Sequence, residues 1–117
     1  MRNRLVKING NKRGPTSIIL AGIHGDEHCG INAIEKVLTS LLIERGCVWF
    51  GFGNPRAIEM NVRYIEYNLN RMFKIDDIFP IYKKQSYEYT RAQFLKKYLI
   101  QADALLDLHA SSIPESK

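Results

Sequence analysis

Cysteine is scarce. Cys29 and Cys47 are the only two in 117 residues, and they form neither a disulfide framework nor a Cys-x-x-Cys pair. A reducing cytoplasm is therefore the expected setting. Long apolar runs are also missing: stretches such as Ile18 to Ile23 are far too short to cross a bilayer, so no membrane partner is expected. The N-terminus shows no secretory pattern, because Lys7, Asn9, Asn11 and Lys12 interrupt any apolar segment. Acidic charge is outnumbered, with 12 Asp+Glu against 17 Lys+Arg and a net charge of +5. That surplus is spread thinly, in doublets at Lys12-Arg13, Lys83-Lys84 and Lys96-Lys97. Nucleic-acid recognition calls for clustered basic residues interleaved with aromatics, or a recognisable module. Neither is present, so no nucleic-acid partner is expected. Internal repeats, low-complexity tracts and linkers are lacking too.

What is present reads as one globular α/β domain. The apolar fraction is 45% and the charged fraction 25%, ordinary values for a chain that buries a modest core. Leu5 to Ile8 alternates weakly, as a short first strand would, and Asn9 to Pro15 has the composition of a turn. Ser17 to Ala21, Cys47 to Phe52 and Ala104 to Leu108 read as buried strands. Helical spacing runs from Glu27 to about Leu42, with Gly46 as its stop, and again from Tyr87 to Ala102. Arg56 to Pro80 reads mostly as loop with one short helical turn. Strand, helix, strand, helix, strand predicts a three-layer open sheet with helices on both faces.

In such a sheet, ligands bind beyond the carboxyl ends of parallel strands. Three polar clusters fall there: His24-Gly-Asp-Glu27-His28, Asn54-Pro-Arg56, and His109. His24 and Glu27 lie three residues apart at a strand-to-helix turn, close enough to share one metal ion, and His109 ends the third strand. Two histidines and a carboxylate leave a fourth zinc position open for water, as in catalytic rather than structural zinc. Asp107 shares a strand face with His109 and is placed to accept its free ring N–H. Plainer readings exist: Asp26, Glu27 and His28 would suit a first helical turn through charge alone. His24 to His28 also spells H-x-x-E-H, which requires both histidines on one regular helix, and Gly22 and Gly25 make a poor helix interior. His28 itself is expected just outside a metal shell. Arg56, Arg63 and Arg71, with Asn68 and Asn70, form a second cluster suited to gripping a carboxylate or a developing oxyanion, or simply a solvated loop. Both cysteines are expected to be core thiols.

Gly22 to Glu27, Asn54-Pro-Arg-Ala57, Arg63 with Asn68-Leu-Asn-Arg-Met-Phe73, and Asp107-Leu-His109 occur in one order and at comparable intervals. Together they resemble the succinylglutamate desuccinylase/aspartoacylase family, which is similar in fold to zinc carboxypeptidases. The resemblance implies one zinc ion per chain, held by His24, Glu27 and His109. It further implies that Arg63 polarises the scissile carbonyl and that Asn70 and Arg71 hold a substrate carboxylate. The implied reaction is hydrolysis of the amide of an N-acyl amino acid, of the aspartate or glutamate type. Two departures stand out. The family usually reads Asp-Leu-Asn-Arg where this chain reads Asn68-Leu-Asn-Arg71. The family's general-base glutamate and a smaller β-rich domain lie beyond the third ligand, whereas this chain reaches only Lys117, and Glu115 does not suit that role. Residues 1–117 are accordingly expected to be the N-terminal part of a catalytic domain, with the sheet edge free to pair with a second copy or a complementing chain. The alternatives are a non-catalytic zinc-binding or assembly module, and a carboxypeptidase acting on peptides.

Overall fold

The computed structural model describes residues 3–74 and 78–110. The chain runs β1 (Val6–Asn9), β2 (Lys12–Ala21), α1 (His28–Val37), β3 (Arg45–Phe52), α2 (Pro55–Met60), a 3-10 turn (Leu69–Arg71), α3 (Ile81–Lys84), α4 (Tyr87–Leu99) and β4 (Ala104–Leu108). The four strands form one sheet in the order β1-β3-β2-β4. β2, β3 and β4 are mutually parallel, while β1 runs antiparallel along the outer edge of β3.

Alternation sorts the strand side chains onto two faces. Ile18 and Leu20 of β2 and Trp49 of β3 point to one side, where α4 covers them with Ala92 and Leu95 and the 3-10 turn adds Leu69. Ala21, Phe50 and Phe52 point to the other side, where Ile31 and Ile34 of α1 cover them. The result is the expected three-layer sheet with a helix on each face. After β3 is laid on one side of β2, the chain crosses back and lays β4 on the other side. The strand order therefore reverses at β2, and the carboxyl ends of β2 and β4 flank the crevice where α/β sheets bind ligands.

Several boundaries differ from expectation. The turn after β1 is confined to Gly10 and Asn11, and β2 already begins at Lys12. Carbonyls of Glu44 and Gly46 accept the amides of residues 10–12, and Pro15 lies in a register shift where no ladder hydrogen bond is needed. Gly46 does not stop a helix. It lies within β3 at φ +70°, and a Cβ there would stand 2.0 Å from the Pro15 carbonyl oxygen. Helix α1 ends at Val37, short of Leu42, which is 92% exposed. The Thr39 hydroxyl donates back to the Lys36 carbonyl at 2.8 Å, competing with helix continuation. Asn54 caps α2 by accepting the Ala57 amide at 3.2 Å, and Pro55 fills its first position, so the Arg56–Pro80 stretch holds more helix than its composition suggests. β4 is not buried but an edge strand, with Leu105 and Leu106 half exposed. Of the cysteines, Cys29 is exposed rather than in the core and Cys47 is partly buried.

Candidate metal centre

Two donors come from the loop that leaves β2 and one from the end of β4. The first loop is pressed against α2: a Cβ at Gly25 would meet the Ala57 carbonyl carbon at 2.2 Å, and the Gly25 amide donates to the Arg63 carbonyl at 3.2 Å. This seats His24 and Glu27 in the protein, Glu27 being only 7% exposed. Parallel pairing of β4 with β2, with Leu108 beside Ala21, then delivers His109 opposite them. One donor atom each from His24, Glu27 and His109 lies within 4.8 Å of the others.

The Glu27 carboxylate is the hub. Its Oε2 lies 2.8 Å from His24 Nδ1, and its Oε1 lies 3.3 Å from His109 Nδ1. The Ala110 amide donates to Oε1 at 2.9 Å, and an Arg63 guanidinium nitrogen stands 3.6 Å from Oε2. The opposite ring nitrogens are also engaged: His24 Nε2 meets Asn68 Oδ1 at 2.9 Å, and His109 Nε2 meets Asp107 Oδ2 at 2.9 Å. Both ring nitrogens of each histidine thus face oxygens, and a neutral ring that keeps its Nε2 proton turns its Nδ1 lone pair toward the Glu27 carboxylate. Two lone pairs and an anion facing one another repel unless protons or a cation stand between them. Imidazoles whose far N–H is held by an oxygen are the usual form of metal-ligating histidine. The donor set fits a divalent cation of the zinc type.

Without a metal ion, the carboxylate and the histidines stabilise one another's charged forms. Burial by itself would raise the Glu27 carboxyl, but the Ala110 amide, the hydrogen bond and charge of His24, and the charge of His109 outweigh it, and the group sits below its ordinary 4.5. Burial would lower the His109 imidazole, yet Asp107 first and Glu27 second outweigh it, raising the group above its ordinary 6.5.

Arg63 borders the centre with its side chain half exposed. Asn70 and Arg71 line different pockets. Asn70 lines a pocket of about 250 Å³ with Asp107, Leu20 and Phe73. Arg71 lines a cleft of about 410 Å³ with Tyr67, Asn68 and Lys83. His28 is exposed and bonds Asn61 Oδ1 at 2.6 Å, away from the cluster. Glu115 lies outside the described residues. Two groups escaped the sequence reading. The Asn68 side chain bonds His24, although its carbonyl also accepts the Arg71 amide. Glu88 and Arg91 occupy the buried stripe of α4 with Ala92 and Leu95, where a pattern built on apolar residues passes over them. Their spacing with Leu95 was the available signal.

A carboxylate between two histidines, at the switch point of a three-layer mixed sheet, makes this an α/β protein with a His-Glu-His cluster that could hold a metal ion. Residues 13–114 match the succinylglutamate desuccinylase/aspartoacylase catalytic domain, and the chain belongs to that family. A probable aspartoacylase of Trichodesmium erythraeum is 32% identical, the match covering 80% of this chain and 34% of the relative. The solved succinylglutamate desuccinylase of Chromobacterium violaceum superposes with a TM-score of 0.72 at 30% identity, covering 90% of this chain and 36% of that one. The tripeptide-bound cell shape determinant Csd4 of Helicobacter pylori has the same fold, with a TM-score of 0.76 at 24% identity over 97% of this chain and 29% of that one. Matches to the first curated relatives span between 19% and 34% of their length.

Proposed function

We propose that this chain carries the metal- and substrate-binding motifs of a zinc-dependent amidohydrolase that cleaves the amide of N-acyl aspartate or N-acyl glutamate. One observation carries the reading: both Nδ1 atoms face one buried carboxylate while both Nε2 atoms are engaged by oxygens. Bound zinc would supply Lewis acidity and activate water at neutral pH. His24, Glu27 and His109 would hold it, with Asn68 and Asp107 fixing the two rings. Arg63, half exposed beside Glu27, is assigned to the scissile carbonyl oxygen, where a fixed cation favours developing negative charge. Asn70 and Arg71 are assigned to the substrate carboxylate, an acceptor suited to the guanidinium fork, and the net charge of +5 favours an anionic ligand.

The cytoplasm suits the two free thiols. Among the described residues no helix is long and apolar enough to cross a membrane.

The test is the zinc-to-protein ratio of the purified chain by plasma mass spectrometry, with His109→Ala as control. A ratio near one that collapses in the variant is expected, and no zinc in a folded chain would refute the reading. Assays of N-acyl aspartate, N-acyl glutamate and a blocked dipeptide then separate deacylase from peptidase activity.

A further inference from the structure

The segment from Arg63 to Arg71 bears every candidate substrate-binding residue, yet it contains no strand and only the 3-10 turn. Something else must hold its backbone. Three consecutive amides, those of Ile65, Glu66 and Tyr67, all point at one side chain, Glu88 of α4. Its Oε2 accepts from the Ile65 amide at 2.7 Å and from Asn54 Nδ2 at 2.9 Å. Its Oε1 accepts from the Glu66 amide at 2.9 Å and the Tyr67 amide at 3.0 Å. Glu88 has 0% of its surface exposed. A carboxylate buried to that degree is tolerated only when its lone pairs are satisfied, and here four donors converge on it.

The next residue after this cradle is Asn68, whose Oδ1 accepts from His24 Nε2 at 2.9 Å and from the Asn70 amide at 3.1 Å. One peptide link therefore separates the backbone that Glu88 grips from the side chain that orients His24. The grip is doubled where the Glu66 carboxylate accepts the Tyr87 amide at 2.7 Å. We propose that Glu88 is a positioning residue: by gripping the 65–67 amides from α4 it places Asn68 against His24 and presents the loop bearing Arg63 and Arg71 to the centre. It touches neither the metal donors nor the substrate side chains. The assignment concerns the same site as the proposed function and rests on that reading for its purpose, but its geometry is readable without metal.

Glutamine is the informative replacement at this position. Each carboxylate oxygen accepts two donors, so Glu88→Gln must turn an amide NH₂ toward N–H groups in either orientation. Ile34→Ala, in the core on the opposite face, serves as a destabilised control. Two readouts on the metal-free chain at fixed pH are used: amide hydrogen exchange at residues 65–67, and the ¹⁵N signal of His24 Nε2, which reports its hydrogen bond to Asn68. The expected result is exchange faster by about 100-fold or more at residues 65–67 in Glu88→Gln, together with a shift of the His24 Nε2 signal as its hydrogen bond to Asn68 is lost. Ile34→Ala should leave the His24 signals unchanged. The chelator-measured zinc affinity of Glu88→Gln should also fall by roughly tenfold.

If the loop loosens while the His24 Nε2 signal stays as in wild type, Glu88 is only a structural residue and the proposal fails. It fails equally if Ile34→Ala disturbs His24 as much as Glu88→Gln does. Should Glu88→Gln not fold, Glu88→Asp, which keeps the charge but shortens the reach, must show the same pair of changes in weaker form. Failure of both variants to fold overturns the assignment. Absence of zinc in the wild-type chain would refute the proposed function and leave the His24 readout intact.

Discussion

Asn68 offers a direct perturbation of the candidate centre, because its amide oxygen is the group that holds His24 Nε2. Replacing it by aspartate preserves shape and the acceptor for the Asn70 amide while turning a neutral acceptor into a charged one. A neutral hydrogen bond contributes about 1 kcal/mol net and one to an ionised group about 1.5–3 kcal/mol. The difference is about 1–2 kcal/mol, less part of the cost of desolvating a half-buried carboxylate. At 1.4 kcal/mol per factor of ten, Asn68→Asp should tighten zinc binding by roughly three- to thirtyfold. Asn68→Leu removes the acceptor and frees the ring to rotate, which should weaken binding by roughly 10- to 100-fold. Competition against a chromophoric chelator at fixed pH measures both changes. A leucine variant within about twofold of wild type, or an aspartate variant that binds no tighter than asparagine, would refute the assignment of Asn68 as the group that orients His24.

Arg91 and the two perturbed titrating groups give further expectations. The Arg91 guanidinium, 8% exposed, donates to the carbonyls of Asn3, Phe52 and Gly53 at 2.7, 2.9 and 2.8 Å. A lysine cannot span that fork, so Arg91→Lys should cost about 2–4 kcal/mol in urea unfolding, and a loss under about 0.5 kcal/mol would contradict the clamp. In the metal-free chain, Glu27 is held below its ordinary 4.5, so its contribution to stability is present above that value and is lost as pH falls through its lower folded value. His109 is held above its ordinary 6.5, so its contribution is full below 6.5 and is lost as pH rises through its higher folded value. Urea midpoints should therefore be highest between 4.5 and 6.5 and decline on both sides. A midpoint that does not fall above 6.5, or one that falls just as much in His109→Ala, would contradict the alkaline arm.

The strands were legible because β-branched and aromatic runs at Ser17–Ala21 and Cys47–Phe52 carry their own signal, and the order of elements was enough to predict helices on both faces. The convergence of His24, Glu27 and His109 also follows from order, since the two loops leave the carboxyl ends of adjacent parallel strands. What stayed hidden depends on partners distant in sequence. Gly46 looks like a helix stop until Pro15, packed against it from β2, shows why no Cβ is allowed. Asn68 looks like part of an arginine cluster until His24, 44 residues away, takes its oxygen. Glu88 looks like an exposed helical charge because its four donors, spread from Asn54 to Tyr67, form no pattern along the chain. Apolar periodicity also overran α1, because Leu38 and Leu41 still pack on the core after the helix has ended.

The third donor directly follows an edge strand of the sheet, and this has a dynamic consequence. Glu27 reaches across 82 residues of chain to His109 and across 83 to the Ala110 amide, so the carboxylate works as a clasp on a long loop. Edge segments with few buried contacts open locally at a fraction of the global unfolding energy. Each such opening of β4 removes His109 while leaving His24 and Glu27 in place. Any ion bridging the three side chains must therefore hold that clasp shut, and its residence time will be set by how often the edge of the sheet lets go.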